Sequence, residues 1–231
     1  MDIIKVNYET ATCPGCEVHE GFADMWNSFK SQIKSAVATL NSQHPVGRIM
    51  VTGHSLGGAI ATLAGLDLRS QYGAKVQMIH FGSPRVGNEA FYNKVKATFG
   101  ASAFRVTHAN DIVPHWPKAL SHAGYHHIEK EVWYTSNSAY KECNDSGEDP
   151  SCSDSVTGDS IADHLNYLGH STACNNADSA HLELLELTIS PDSLEFYNYF
   201  EDIVLACDST GFVKSVAMKY GQEFLRRESE F

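Results

Sequence analysis

The sequence predicts an α/β fold: a central, mainly parallel sheet with helices on both faces. Two patterns carry the prediction. From Gly21 to Thr107, segments of helical period alternate with short apolar runs, and each apolar run stops at turn-forming residues. Strands joined through helices lie parallel, because only a crossover of that length returns the chain to the same end of the sheet.

The elements follow in order. Met1 to Glu9 alternates apolar residues at Ile4, Val6 and Tyr8. Gly21 to Gln43 places Phe22, Trp26, Phe29, Ile33, Val37 and Leu40 at steps of three and four, one face of a long amphipathic helix. His44-Pro45 and Gly47 end it. Arg48 to Thr52 reads as a buried strand, Ala59 to Arg69 as a helix closed by Tyr72-Gly73, and Val76 to Phe81 as a second strand stopped by Gly82-Ser83-Pro84. Asn88 to Phe99 is a helix before Gly100, and Ala103 to Thr107 is a third strand. Glu129 to Tyr134 alternates as a half-exposed strand does, and a Ser- and Asp-rich loop runs on to about Ser160. The chain divides into a domain over residues 1–174 and a C-terminal extension over 175–231, whose apolar pieces fit helix or strand and whose role is unread.

Composition narrows the function. Hydrophobic residues are 42% of the 231, enough for a core. Twenty-eight acidic against 17 basic residues give a net charge of −11, which disfavours nucleic acid as a partner. No apolar run is long enough to span a membrane, and Met1 to Glu9 lacks the features of a signal peptide. The six cysteines point to an oxidising, extracytoplasmic compartment. Cys143 and Cys152 flank a polar loop and read as a disulfide staple. Cys13-Pro14-Gly15-Cys16 is a disulfide candidate too, with a redox pair or half a zinc site as alternatives. Asn144-Asp145-Ser146 is an N-glycosylation triplet.

Gly53-His54-Ser55-Leu56-Gly57 carries the chemistry. A strand runs into it and a small-residue helix runs out, the context a nucleophile elbow of the α/β-hydrolase fold needs. The residues flanking such a serine must be small, and Gly53, Gly57 and Gly58 are. At a helix start, the Leu56 N–H faces a developing oxyanion. The competing reading is a glycine-rich turn that only packs helix on strand.

A serine hydroxyl needs a histidine to take its proton and a carboxylate to orient that histidine. In this fold the order is Ser, acid, His. Asp111 follows the strand 103–107 and so shares the sheet edge with Ser55, although a turn-forming Asp is the commoner role for such a residue. His115, His122, His126, His127, His164, His170 and His181 all follow it, and spacing leaves the choice open. The His115, His122, His126, His127 group also invites a metal reading, but its spacing fits no regular zinc pattern.

The chain resembles the fungal-type class 3 lipases. The matching segments are Val18-His19-Glu20-Gly21-Phe22, Val51 to Ala59, Phe81-Gly82-Ser83-Pro84-Arg85-Val86-Gly87-Asn88, Asn110-Asp111-Ile112-Val113-Pro114-His115, Cys143 with Cys152, and Asp163-His164-Leu165-Asn166-Tyr167-Leu168-Gly169. The resemblance implies Ser55 as nucleophile, Asp111 as acid and His164 as base, acting on lipid esters through an acyl-enzyme without a cofactor. It also implies an N-terminal segment with a second oxyanion donor, a lid and further strands. Nothing in the 231 residues matches it, so an N-terminally truncated hydrolase with a bare sheet edge is expected. The family partner of Cys174 is unmatched as well, leaving Cys174 free or paired with Cys207. A catalytically silent lipase-like binding protein and an esterase for soluble esters are the alternatives.

Overall fold

The computed structural model describes residues 4–9, 11–43, 47–117, 124–128 and 130–172. The predicted extension over 175–231, with Cys174, Cys207 and His181, lies outside them, as does His122.

A five-stranded sheet organises the described residues, in the order β3 (Ile49–His54), β4 (Val76–Phe81), β5 (Ala103–His108), β6 (Glu131–Tyr134), β7 (Tyr140–Glu142). The first four strands are parallel and β7 is antiparallel to β6. β3 and β7 therefore form its two edges. A hairpin of β1 (Lys5–Asn7) and β2 (Glu17–His19) precedes it, closed by a turn in which Cys13 and Cys16 are disulfide-bonded.

Helix α1 (Glu20–Gln43) buries Phe22, Met25, Trp26 and Ile33, the stripe its periodicity sets, with Phe29 and Val37 packed at its border. Helix α2 (Leu56–Tyr72) is buried from Leu56 to Leu68 and packs on the sheet face that carries Val76, Met78 and His80. Its small residues permit this. A Cβ at Gly65 would lie 3.2 Å from the Phe99 ring, and one at Gly58 would lie 2.8 Å from the Ser83 Cβ. Asp67, the polar residue inside this layer, accepts from Trp26 Nε1 at 2.6 Å and pairs with Lys30 at 3.3 Å, so α1 is fastened to α2. Helix α3 (Glu89–Phe99) brings Phe99 to the same side. The opposite face receives the short α4 (Ile161–His164) with the hairpin β8 (Asn166–Tyr167) and β9 (His170–Ser171); Tyr167 rests on Phe81 and His108.

Two expectations are corrected. The helix expected over 59–69 starts at Leu56, because the glycines after Ser55 continue the helix rather than form a separate turn. The stretch read as loop up to Ser160 contains β7, whose residues are all exposed and so carry no apolar alternation.

Candidate active site

The carboxyl ends of β3 and β5 place Ser55 and Asp111 on one edge of the sheet, where parallel sheets collect their functional groups. Ser55 joins β3 to α2 with φ 55° and ψ −128°, a conformation L-residues rarely adopt. Two contacts hold it there. Its N–H donates to the Phe81 carbonyl of β4 at 2.9 Å, and the Gly58 N–H donates to its carbonyl at 2.9 Å. Any Cβ at Gly53 would fall on the Gly57 carbonyl, so the turn closes only with glycine there. As the first residue of α2, Leu56 has an N–H with no acceptor inside the helix.

Asp111 sits in a turn after β5, its N–H bonded to the His108 carbonyl at 2.9 Å. Residues 110–112 are laced to 159–163. Ser160 N–H donates to the Asn110 carbonyl at 2.9 Å, Ile112 N–H to the Ser160 carbonyl at 3.3 Å, and Asn110 N–H to Asp163 Oδ2 at 3.0 Å. Ser160 also caps α4, its Oγ accepting from Asp163 N–H at 3.0 Å. This lacing carries His164 to the site from the far side of the polar loop.

A continuous hydrogen-bonded chain results. His164 Nε2 lies 2.9 Å from Ser55 Oγ, and His164 Nδ1 lies 3.0 Å from Asp111 Oδ2 and 2.9 Å from Oδ1. The three residues are 2%, 4% and 2% exposed for Ser55, His164 and Asp111. A hydroxyl proton can pass along such a chain to the imidazole, with the carboxylate holding the ring.

Further groups fix the chain, none of which the sequence marked for that role. The Tyr167 hydroxyl donates to Asp111 Oδ2, while the Val113 N–H donates to Oδ1 at 2.9 Å. Burial, then the Asp111 charge, pushes the Tyr167 phenol far above its usual range, so it stays a donor. His54 holds His164 in place: its Nε2 lies 2.9 Å from the His164 carbonyl and its ring packs at 4.4 Å from the His164 ring. Burial, with the neighbouring His164, lowers the His54 pKa to about 3 and keeps it neutral. The Thr172 hydroxyl donates to the same carbonyl at 3.2 Å. Gly82, with φ 56°, completes the floor: a Cβ there would lie 2.9 Å from Asp111 Oδ2 and 2.8 Å from the Tyr167 hydroxyl.

The other histidines are engaged elsewhere. His127 Nε2 lies 2.6 Å from the Pro114 carbonyl, His126 Nδ1 lies 2.7 Å from the His127 carbonyl, and His115 faces Asp154 at 4.0 Å. His170 lies in β9. Cys143 and Cys152 are disulfide-bonded, and the two bridges accord with an extracytoplasmic location.

A family model described as lipase (class 3) matches residues 1–121. The chain belongs to the class 3 lipase family. Among its relatives, a secreted mono- and diacylglycerol lipase of Fusarium solani is 36% identical over 183 residues, covering 74% of this chain and 54% of the relative. A lipase of Rhizomucor miehei is 35% identical over 179 residues, covering 74% and 48%. The crystal structure of the lipase from Rhizopus microsporus var. chinensis superposes with TM-score 0.68 at 36% identity, covering 74% of this chain and 60% of that one. A solved triacylglycerol lipase described as having a serine protease triad as its catalytic centre superposes with TM-score 0.67 at 36% identity, covering 74% and 66%. These structures carry the α/β-hydrolase fold. The chain spans about half the length of the two relatives named first.

Proposed function

We propose that this class 3 lipase-family chain hydrolyses carboxylic esters of lipids, with Ser55 as nucleophile, His164 as general base and acid, and Asp111 as the carboxylate that orients it. The single observation that carries the reading is the buried hydrogen-bonded chain from Ser55 Oγ through His164 to Asp111. Ser55 Oγ attacks the ester carbonyl as its proton moves to His164 Nε2. The oxyanion gathers at the start of α2, where the Leu56 N–H and the aligned peptide dipoles of the helix stabilise negative charge. Collapse breaks the ester C–O bond, and His164 returns the proton to the departing alcohol. Water then attacks the acyl-enzyme, His164 takes its proton, and Ser55 is released with the carboxylic acid. The chain's own side chains supply every proton transfer, so no cofactor enters.

Lipid esters as substrates, and secretion, are supported by the relatives, one described as a secreted mono- and diacylglycerol lipase and another as a triacylglycerol lipase. No helix among the described residues is long and apolar enough to cross a membrane. The test is labelling by a fluorophosphonate together with turnover of an emulsified acylglycerol and a soluble p-nitrophenyl ester. Wild type labels and prefers the emulsion, and Ser55→Ala drops both signals to background. Equal labelling of Ser55→Ala overturns the site, and turnover confined to the soluble ester overturns the substrate class.

A further inference from the structure

We propose that Asn144 carries an N-linked glycan. Asn144-Asp145-Ser146 is the only Asn-x-Ser/Thr triplet in the 231 residues. The structure presents it as an acceptor. Asn144 is exposed, and its Oδ1 accepts from the Ser146 N–H at 2.9 Å, a turn that fixes the side chain toward solvent. Its Nδ2, the atom that would be modified, donates to no protein group among the described residues.

The backbone around it is held firmly. The Asn144 N–H donates to Asp149 Oδ2 at 2.9 Å, the Tyr92 hydroxyl and Lys96 Nζ donate to the Asp145 carbonyl at 2.7 and 2.9 Å, and the Cys143–Cys152 disulfide closes the loop. That disulfide forms in the same oxidising compartment in which glycan transfer occurs. The proposal therefore rests on the extracytoplasmic location and not on the ester chemistry.

Position also favours it. Cys143 N–H bonds to the Glu131 carbonyl at 3.0 Å, so Asn144 lies beyond edge strand β7, at the amino end of the parallel strands. Ser55 and Asp111 follow the carboxyl ends of β3 and β5. A glycan at Asn144 thus stands at the opposite pole from the site and leaves its mouth open. In the transfer, a bond forms from Asn144 Nδ2 to the sugar C1 of an oligosaccharide diphosphate-lipid donor. The C1–O bond to the diphosphate breaks, and the amide loses one proton to the transferase.

The full chain is expressed behind a secretory leader in yeast, and the peptide spanning Cys143 and Cys152 is read by mass spectrometry from secreted and retained protein alike. The expected result is a glycopeptide and a gel shift that peptide-N-glycosidase removes. Asn144→Gln and Ser146→Ala lose the shift, Ser146→Thr raises occupancy, and deglycosylation of the native protein leaves ester turnover unchanged. Unmodified Asn144 in protein whose disulfides resist thiol reagents overturns the proposal. A glycosylated chain that turns over no ester supports the glycan and counts against the catalytic reading alone.

Discussion

Tyr167 and Gly82 show how little tolerance the site has at single residues. Asp111 Oδ2 takes donors from both His164 and Tyr167. A hydrogen bond to a charged group contributes about 1.5–3 kcal/mol. Tyr167→Phe removes one without changing the ring's packing on Phe81 and His108. The expected outcome is a fall in kcat of about tenfold or more with KM unchanged, because Asp111 loses one of the donors that fix it against His164. A lowered melting temperature with kcat intact would make Tyr167 merely structural. At Gly82 a methyl group would meet both Asp111 and Tyr167 on a backbone with φ 56°, so Gly82→Ala should cost at least tenfold in kcat/KM and lower the melting temperature. Steady-state kinetics and calorimetry on one preparation check this. Ser55 and Asp111 were legible because each follows a strand end directly. His164 was not, since spacing alone left seven histidines open and resemblance made the choice. Tyr167 was visible only as part of a matched segment, since its partner is 56 residues away and no local pattern encodes that contact.

Elements that depend on their own periodicity were read closely from the sequence, and elements that depend on distant partners were not. The stripe of α1 and the apolar runs of β4 and β5 needed no tertiary information. β7 has every residue exposed and exists because β6 offers it a ladder. The four-residue α4 exists because Ser160 caps it and residues 110–112 pin it, neither of which hydrophobic patterning reports. Asn88 is a comparable joint. It caps α3 by accepting from the Phe91 N–H at 3.0 Å, accepts from the Glu17 N–H of β2 at 3.1 Å, and donates to the Gly15 carbonyl at 2.8 Å. A lost cap alone costs about 1 kcal/mol. Asn88→Ala also unpairs the β2 donor, so about 2 kcal/mol of destabilisation is expected by urea denaturation. Asn88→Asp keeps the acceptor and should lose less than half of that. Equal losses would mean that the donated bond to Gly15, not the cap, dominates.

Across the whole molecule, the buried histidines set the response to acid. Burial lowers the pKa of His54 and His80 to about 3 and that of His127 well below its usual value, with Arg105 adding to the effect at His80 and His127. Their folded-state pKa values lie below the unfolded value of about 6.5. The stability they contribute is therefore present above pH 6.5 and is lost as pH falls toward 3, because the unfolded chain takes up protons the folded one refuses. Glu148 adds to the loss. Burial works to raise its pKa, but the Arg85 hydrogen bond and charge prevail and hold it at about 2, so its contribution fades below about pH 4.5. Asp154 opposes them. Burial raises it to about 6 despite Arg85, so its contribution is present below about pH 4 and is lost as pH rises through 6. Between pH 6 and 5 the lowered histidines outweigh the one raised aspartate, so unfolding takes up protons and stability falls with pH. Domains of this size hold only about 5–15 kcal/mol, so acid unfolding is expected within a few units of neutrality. Urea midpoints at pH 8, 6, 5 and 4 measure it, and a flat series would refute the assignment. His80 offers the sharper check. Neither of its ring nitrogens has a partner among the described residues, so His80→Leu sacrifices no hydrogen bond and should make stability fall less steeply as pH drops.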